Sequence, residues 1–352
     1  MRRWLVLLLL LLISTTGCAA AGGLSGGGLN LNPGGSSGAA RPKPTPPPPE
    51  ATLAGGSARA TLLADGGEIL PALLDAIQAA KKRVDVEMYE FGDPRLSDAL
   101  LAAVKRGVQL RVILDGTEQQ SQAMAQQLQA KKVAVRIFQV SGGIDHVKLL
   151  VADETVIIGG MNWGKSSMLN HDYDVLIKSA PAEFDALFER DWGVAGGEKP
   201  AGPAGDYLLY DANIRSSLLK HLREAQRAVW LELDELSDPE IIQALFEAAG
   251  RGVDVRVLLD PNVANNQETA TKLVTADIGV RWWYTDAGRL HAKALLIDEQ
   301  HLIVGSANLT QRGLSINHEA DVDLHAPALA SRLRDIFDAD WKKAVPAMPG
   351  AA

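Results

Sequence analysis

The stretch His291-Ala-Lys293-Ala-Leu-Leu-Ile-Asp298, followed by Gly305-Ser306-Ala-Asn308, has an earlier counterpart in the same chain. That copy reads His146-Val-Lys148-Leu-Leu-Val-Ala-Asp153, followed by Gly159-Gly160-Met-Asn162. Both are H-x-K-x4-D. Each lies on a strand-like apolar run, closed by a second such run (156–158, 302–304) and a small-residue turn. Residues two apart on a strand share a face, so the His and Lys of each copy can point into one pocket. A cation beside an imidazole is what a phosphate oxyanion requires. One copy alone would read equally well as two exposed polar residues on an edge strand. Two copies on matching scaffolds speak against that reading.

Working outward, the whole chain from about Ala58 divides into two repeats. Val84-Asp-Val-Glu-Met88 answers Val229-Trp-Leu-Glu-Leu233, and Asp93-Pro94 answers Asp238-Pro239. Arg111-Val-Ile-Leu-Asp115 answers Arg256-Val-Leu-Leu-Asp260. All of these, and His146 with His291, share an offset of 145 residues. The closing helices share Phe188-x-x-Asp191-Trp192 and Phe337-x-x-Asp340-Trp341. Periodicity predicts helices over 69–82, 96–105 and 119–130, with strands over 84–88, 110–114 and 133–138. The two motif strands, a further strand and a last helix follow. Alternating elements of this kind predict an α/β fold, in which each repeat is a mixed sheet flanked by helices. Repeat 1 is expected over 58–196 and repeat 2 over 206–345, joined by a short Gly/Ala/Pro connection. Two copies pack most simply about a pseudo-twofold axis, an intramolecular pseudo-dimer that can bring His146 and His291 into one site.

These residues resemble the phospholipase D superfamily, whose signature is two H-x-K-x4-D motifs in one chain. The resemblance spans about 58–345. It includes the Asn-bearing turns and a downstream Asn-x-acid in each copy, Asn170-His-Asp172 and Asn317-His-Glu319. It implies two phospholipase D-like units and a phosphodiester reaction in which one His becomes a phosphohistidine. The other His protonates the leaving alcohol, then deprotonates the incoming water or alcohol. Following the family, His146 is the nucleophile and His291 the acid/base; the sequence itself does not separate the two.

The chemistry suits the residue types. An imidazole nucleophile splits one hard displacement into two easier ones, and histidine holds either protonation state near neutral pH. Lys148 and Lys293, with Asn162, Ser306 and Asn308, are expected to donate to the phosphoryl oxygens. Asp172 and Glu319 are expected to hold a ring N–H of the histidines, with the pairing open. Asp153 and Asp298 read as structural, capping the turn between the motif strands. The resemblance implies no cofactor and no metal, and the chain has no spaced cluster of metal-ligand residues.

The first copy departs from the second in three ways. Gly160 replaces Ser306, the stretch to its turn is one residue shorter, and Asp172 is one methylene shorter than Glu319. With both His-Lys pairs intact, an active enzyme is expected. Among other residues, His171 and His318 match beside the acids and read as pocket rim or turn residues. His221, His301 and His325 have no matching partners and read as surface or cap residues. Glu87 and Glu232 match without a decided role, and Asp115 and Asp260 read as caps of the helices that follow them. Trp282-Trp283-Tyr284 can form an apolar lip, although Trp283 matches Phe138 and reads as core.

The first residues carry an address. MRRW, the apolar run 5–13 and Ser14-Thr-Thr-Gly17 form a secretory signal over 1–17, too short for a comfortable transmembrane helix. Gly17-Cys18 resembles the lipobox of bacterial lipoproteins, with Thr15 where Leu is usual, and implies lipidation of Cys18. Cys18 is the only cysteine, which excludes an intrachain disulfide. Residues 18–57, rich in Gly, Ser and Pro, read as a tether. The expected place is the bacterial cell envelope, secreted and held to a membrane by the lipid anchor.

Cleavage would remove Arg2 and Arg3 and no acid, leaving 33 basic against 43 acidic residues, a net charge of −10. That balance argues against nucleic acid as partner. The expected function is therefore a phospholipid phosphodiesterase or phosphatidyltransferase, phospholipase D or cardiolipin synthase-like, working as a monomer. A nuclease of the same superfamily would use the same histidines on DNA or RNA. A non-catalytic envelope protein would hold anionic headgroups with the lysines and leave them unturned.

Overall fold

The computed structural model describes residues 47–348 except 55, 200 and 204. The expected signal, Cys18 and most of the expected tether lie outside the described residues.

Two eight-stranded mixed sheets form the fold. Across the first run Glu50–Thr52, Arg59–Ala64, Tyr173–Lys178, Thr155–Gly159, Lys148–Ala152, Arg83–Met88, Gln109–Asp115 and Ala134–Phe138. Across the second run Leu208–Tyr210, Ala320–His325, His301–Gly305, Lys293–Ile297, Ala228–Leu233, Asp254–Leu259, Gly279–Trp282 and Val345–Pro346. Seven strands correspond one to one, and each sheet adds its eighth at the opposite edge. The three strands Arg83–Met88, Gln109–Asp115 and Ala134–Phe138 pair in parallel, as do their counterparts. Parallel neighbours need crossovers, which the helices Pro94–Lys105 and Gln119–Ala130 supply in the first half. The motif strands join antiparallel to the centre of each sheet.

Local sequence explains the elements. Asp93 and Asp238 cap the crossover helices Pro94–Lys105 and Pro239–Gly250 by accepting backbone N–H groups, with a proline at the first helical position. Gly107 and Gly252 end them at φ +90° and +87°, where a side chain would be strained. Period-two burial then sorts the motif strands. Leu149 and Val151 face a central core shared by both sheets, while Leu150 and Ala152 face an outer core under the helices of the first half. Ala294 and Leu296 likewise face the central core, and Leu295 and Ile297 the outer core of the second half. The closing helices Ala182–Ala195 and Pro327–Lys343 send Phe184, Phe188, Leu333 and Phe337 into the shared core. The two repeats therefore fold around one common interior.

Two expectations are corrected. Part of the stretch expected as tether is structured, because Glu50–Thr52 pairs with Arg59–Ala64 and Leu53 is buried. Each repeat also opens on a strand, not a helix. Arg59–Ala64 and Leu208–Tyr210 carry little β-branched character, and tertiary pairing with Tyr173–Lys178 and Ala320–His325 makes them strands.

Candidate active site

The two halves meet through paired backbone. His146 N–H donates to the His318 carbonyl at 2.8 Å, and His318 N–H to the Ile144 carbonyl at 2.9 Å. The pseudo-symmetric contacts are His291 N–H to His171 O and His171 N–H to Arg289 O, both 2.9 Å. The segment entering each motif histidine is thus tied to the segment bearing the other half's acid. As a result Glu319 lies 2.9 and 3.1 Å from His146 Nδ1, and Asp172 lies 2.9 and 3.1 Å from His291 Nδ1. The pairing left open by the sequence crosses between halves. A carboxylate on Nδ1 fixes each ring and leaves Nε2 as the reactive atom.

The site is buried and polar. Burial, with the lysines beside them, holds both motif histidines below the ordinary imidazole range, His291 well below. Burial presses Lys148 down to about 7 and Asp172 up to about 7. For Glu319, burial works upward, but His146, Lys148 and Ser306 overcome it and leave the carboxyl below its usual range. Lys148 and Lys293 Nζ donate to the carbonyls of His146 and His291, each at 2.5 Å. The amide oxygens of Asn162 and Asn308 are buried without a protein partner. The two buried lysine side chains beside the imidazoles are the donors that an anion would meet here.

Three sequence expectations change in detail. Ser306 Oγ donates to Glu319 at 2.5 Å and accepts from Ala320 N–H at 3.0 Å, so it orients the carboxylate. Gly160, its counterpart, packs so that a Cβ would stand 3.0 Å from Asp172 Oδ1 and 3.2 Å from the Gly305 carbonyl. Asp153 and Asp298 do not cap their own turn. They sit at φ +52° and +51° and accept from the backbone N–H groups of residues 81–83 and 226–228, closing the loop before each repeat's adjoining strand. Asp115 does not cap the next helix, which Glu118 caps; it accepts from Thr117, Glu118 and Asp145.

A supporting layer lies behind the motif residues, and sequence reasoning missed its role. His171 bonds Asp65 at 2.7 Å and Tyr173 Oη at 3.1 Å, with Asp340 at 3.3 Å and Glu232 at 3.5 Å. His318 bonds Asp211 at 2.7 Å and Asp191 at 3.0 Å, with Glu87 at 3.8 Å. In both, burial works against the charged ring, but the carboxylates win and raise the pKa well above the ordinary value. These are cross-half ion clusters, not rim or turn residues. The repeated Asp-Trp pair and the matched Glu87 and Glu232 were the signal for them. Phe138 and Trp283 cover the two rings at 5.2 and 5.1 Å.

A further asymmetry separates the two halves. Tyr89 packs edge-on against His146 at 5.0 Å and under Lys148 at 5.3 Å. The corresponding residue is Asp234, 3.3 Å from Lys293 Nζ and 3.8 Å from His291 Nε2, with Arg289 at 3.5 Å.

Comparison with known proteins agrees with this geometry. Residues 73–192 and 218–341 each match the family model described as cardiolipin synthase, PLD-like domain. A cardiolipin synthase of Geobacillus thermodenitrificans is 24% identical over 339 residues, covering 82% of this chain and 67% of that protein. Cardiolipin synthase B of Escherichia coli is 28% identical over 322 residues, covering 78% of each. In structure, the phosphatidylserine synthase of Haemophilus influenzae superposes with a TM-score of 0.66 at 15% identity, covering 85% of this chain and 89% of that one. With two matched domains over most of its folded length, the chain belongs to the phospholipase D superfamily, in its cardiolipin synthase-like branch.

Proposed function

We propose that the chain is a phosphatidyltransferase that works through a phosphohistidine on His146. His146 Nε2 attacks the phosphorus of a phospholipid, the P–O bond to the leaving alcohol breaks, and His291 Nε2 supplies that alcohol's proton. An incoming hydroxyl then loses its proton to His291 and attacks phosphorus, and the P–N bond breaks. Lys148, Lys293, Asn162 and Asn308 bind the phosphoryl oxygens, where charge builds in the transition state. The observation carrying this reading is the crossed pairing of two buried histidines with Glu319 and Asp172, which leaves both Nε2 atoms for chemistry. The assignment of roles follows the family resemblance; Asp234 beside His291 Nε2 opposes in part the burial and the lysines that hold His291 well below the ordinary range, and so supports a proton there.

Lipid as substrate is supported by the cardiolipin synthase and phosphatidylserine synthase relatives. It is also supported by exposed apolar side chains. Leu169 and Ile316 are 60% and 43% exposed at matching places just before the two Asn-His-acid segments. Tyr284, in the segment that precedes His291, is also exposed. No helix among the described residues is long and apolar enough to cross a membrane. The proposed lipid anchor on Cys18 would bring the site to its substrate in the envelope. The two halves complete one site within one chain, which supports a working monomer.

The test offers the purified chain phosphatidylglycerol and phosphatidylcholine vesicles, and separately single-stranded DNA, with His291→Ala as blank. Cardiolipin, glycerol or phosphatidic acid formed only by the parent protein is expected. DNA cleavage with inert lipid would overturn the reading in favour of a nuclease.

A further inference from the structure

A second cluster of ligand-type side chains stands at the far end of the motif strands, away from the catalytic groups. His221 lies on the helix Ala212–Glu224, His301 opens the strand His301–Gly305, and Asp323 and His325 lie on Ala320–His325. His221 Nε2 is 2.7 Å from Asp323 Oδ2, and His301 Nδ1 is 3.7 Å from Asp323 Oδ1. One ligand atom from each of His221, His301 and Asp323 falls within 4.8 Å of the others. His325 is directly across from His301 in register, with ring centroids 4.7 Å apart. The chain traverses the strand His301–Gly305 to reach Ser306, so this cluster and the catalytic site occupy opposite ends of it.

We propose that His221, His301 and Asp323 form a binding site for a zinc-class divalent cation, with the fourth position left to water. Three observations carry it. Tetrahedral coordination at about 2.0–2.1 Å from nitrogen and oxygen sets ligand atoms roughly 3.3 Å apart, between the two separations seen. His301 Nδ1 is buried without a hydrogen-bond partner, a cost that a metal bond would remove. Ser217 Oγ donates to Asp323 at 3.0 Å and would orient the carboxylate as outer-shell partners do.

Comparison of the halves strengthens the case. Strand register sets Thr155, Leu176 and Lys178 where the second half has His301, Asp323 and His325. The helix offset sets Ala76 where it has His221. The fold needs none of these ligands, since the first half is built without them. Imidazoles with one carboxylate favour zinc over magnesium or calcium, which take oxygen ligands. The ion would tie the helix Ala212–Glu224 to two strands of the second sheet. Side-chain exposures of 14% for His221 and 34% for His301 leave it a way in.

The test uses the full chain without a histidine tag, stripped with a chelator. Zn²⁺ is titrated by calorimetry, Co²⁺ binding is followed by visible absorption, and melting is recorded with and without Zn²⁺. One ion per chain, a tetrahedral cobalt spectrum and a higher melting temperature are expected. His301→Thr and Asp323→Leu introduce what the first half holds there, which preserves the fold. Each should weaken binding about a hundredfold or more, while His291→Ala binds as the parent does. Unchanged binding in His301→Thr would overturn the proposal, as would loss in His291→Ala or no binding by the parent. Phospholipid turnover plays no part in the readout, so the site stands or falls apart from the proposed function.

Discussion

Glu319 reaches from the second half to His146 of the first, 2.9 Å from its Nδ1, and Ser306 holds that carboxylate in turn. Asp172 does the same for His291 in the reverse direction. Each half therefore carries one histidine and the acid that serves the other, so neither half alone holds a complete catalytic dyad.

Cross-half pairing predicts crossed effects. Glu319→Gln should perturb the His146 ring and Asp172→Asn the His291 ring, each lowering turnover roughly ten- to a hundredfold. Nitrogen NMR of labelled imidazoles checks which ring responds. A response in the histidine of the same half would contradict the structure.

The Asp234 carboxylate predicts a pH effect. Burial works to raise its pKa, but Lys293, His291 and Arg289 prevail and hold it below the usual range. It is then charged at neutral pH, and that charge offsets part of the fall that burial and Lys293 impose on His291. Asp234→Asn should lower the His291 pKa, so the alkaline limb of the kcat/KM profile, where the acid is lost, moves to lower pH. An unmoved limb would remove Asp234 from the proton inventory.

Lys148 predicts a stability change with pH. Its pKa falls from 10.5 unfolded to about 7 folded, because burial penalises the charge. Between those values the unfolded chain binds the extra proton, so this group adds stability as pH rises from about 7 to 10.5 and opposes folding below 7. Lys148→Met should be more stable than the parent at pH 6, by a margin that shrinks toward pH 10. Denaturant melts of the anion-free protein at both values measure it.

Gly160 predicts a steric effect. A Cβ there would press on Asp172 Oδ1 at 3.0 Å and meet the Gly305 carbonyl at 3.2 Å, which is backbone and cannot turn aside. Gly160→Ala should displace the acid from His291 and lower kcat several-fold, with KM changed less. The same kcat as the parent would show that the turn accommodates the methyl group.

The repeat, the α/β class and most helices and strands were legible in the sequence, because their apolar periods are strong and stated twice. Lys148, Lys293 and both histidines were legible for the same reason. The first strand of each repeat was not, since Arg59–Ala64 gains its form from the neighbour it pairs with. Nor was the crossing of Asp172 and Glu319, which depends on backbone pairing between segments more than 100 residues apart. His171 and His318 were noticed as a matched pair, but only the tertiary approach of Asp340 and Asp191 shows them to be buried and charged. Asp234 was not legible because its counterpart is Tyr89, so the repeat does not mark the position, and its approach to Lys293 and His291 is tertiary.

The division of labour between the two histidines is tested most directly by trapping the covalent enzyme. His291→Ala is mixed with a phosphatidyl ester of p-nitrophenol, whose leaving group needs no proton, and the quenched protein is mapped by mass. A phosphatidyl adduct on His146 is expected to accumulate, because the base for the second step is gone. An adduct on His291 in the His146→Ala protein, with none on His146, would reverse the roles, and no adduct in either would contradict the phosphohistidine mechanism.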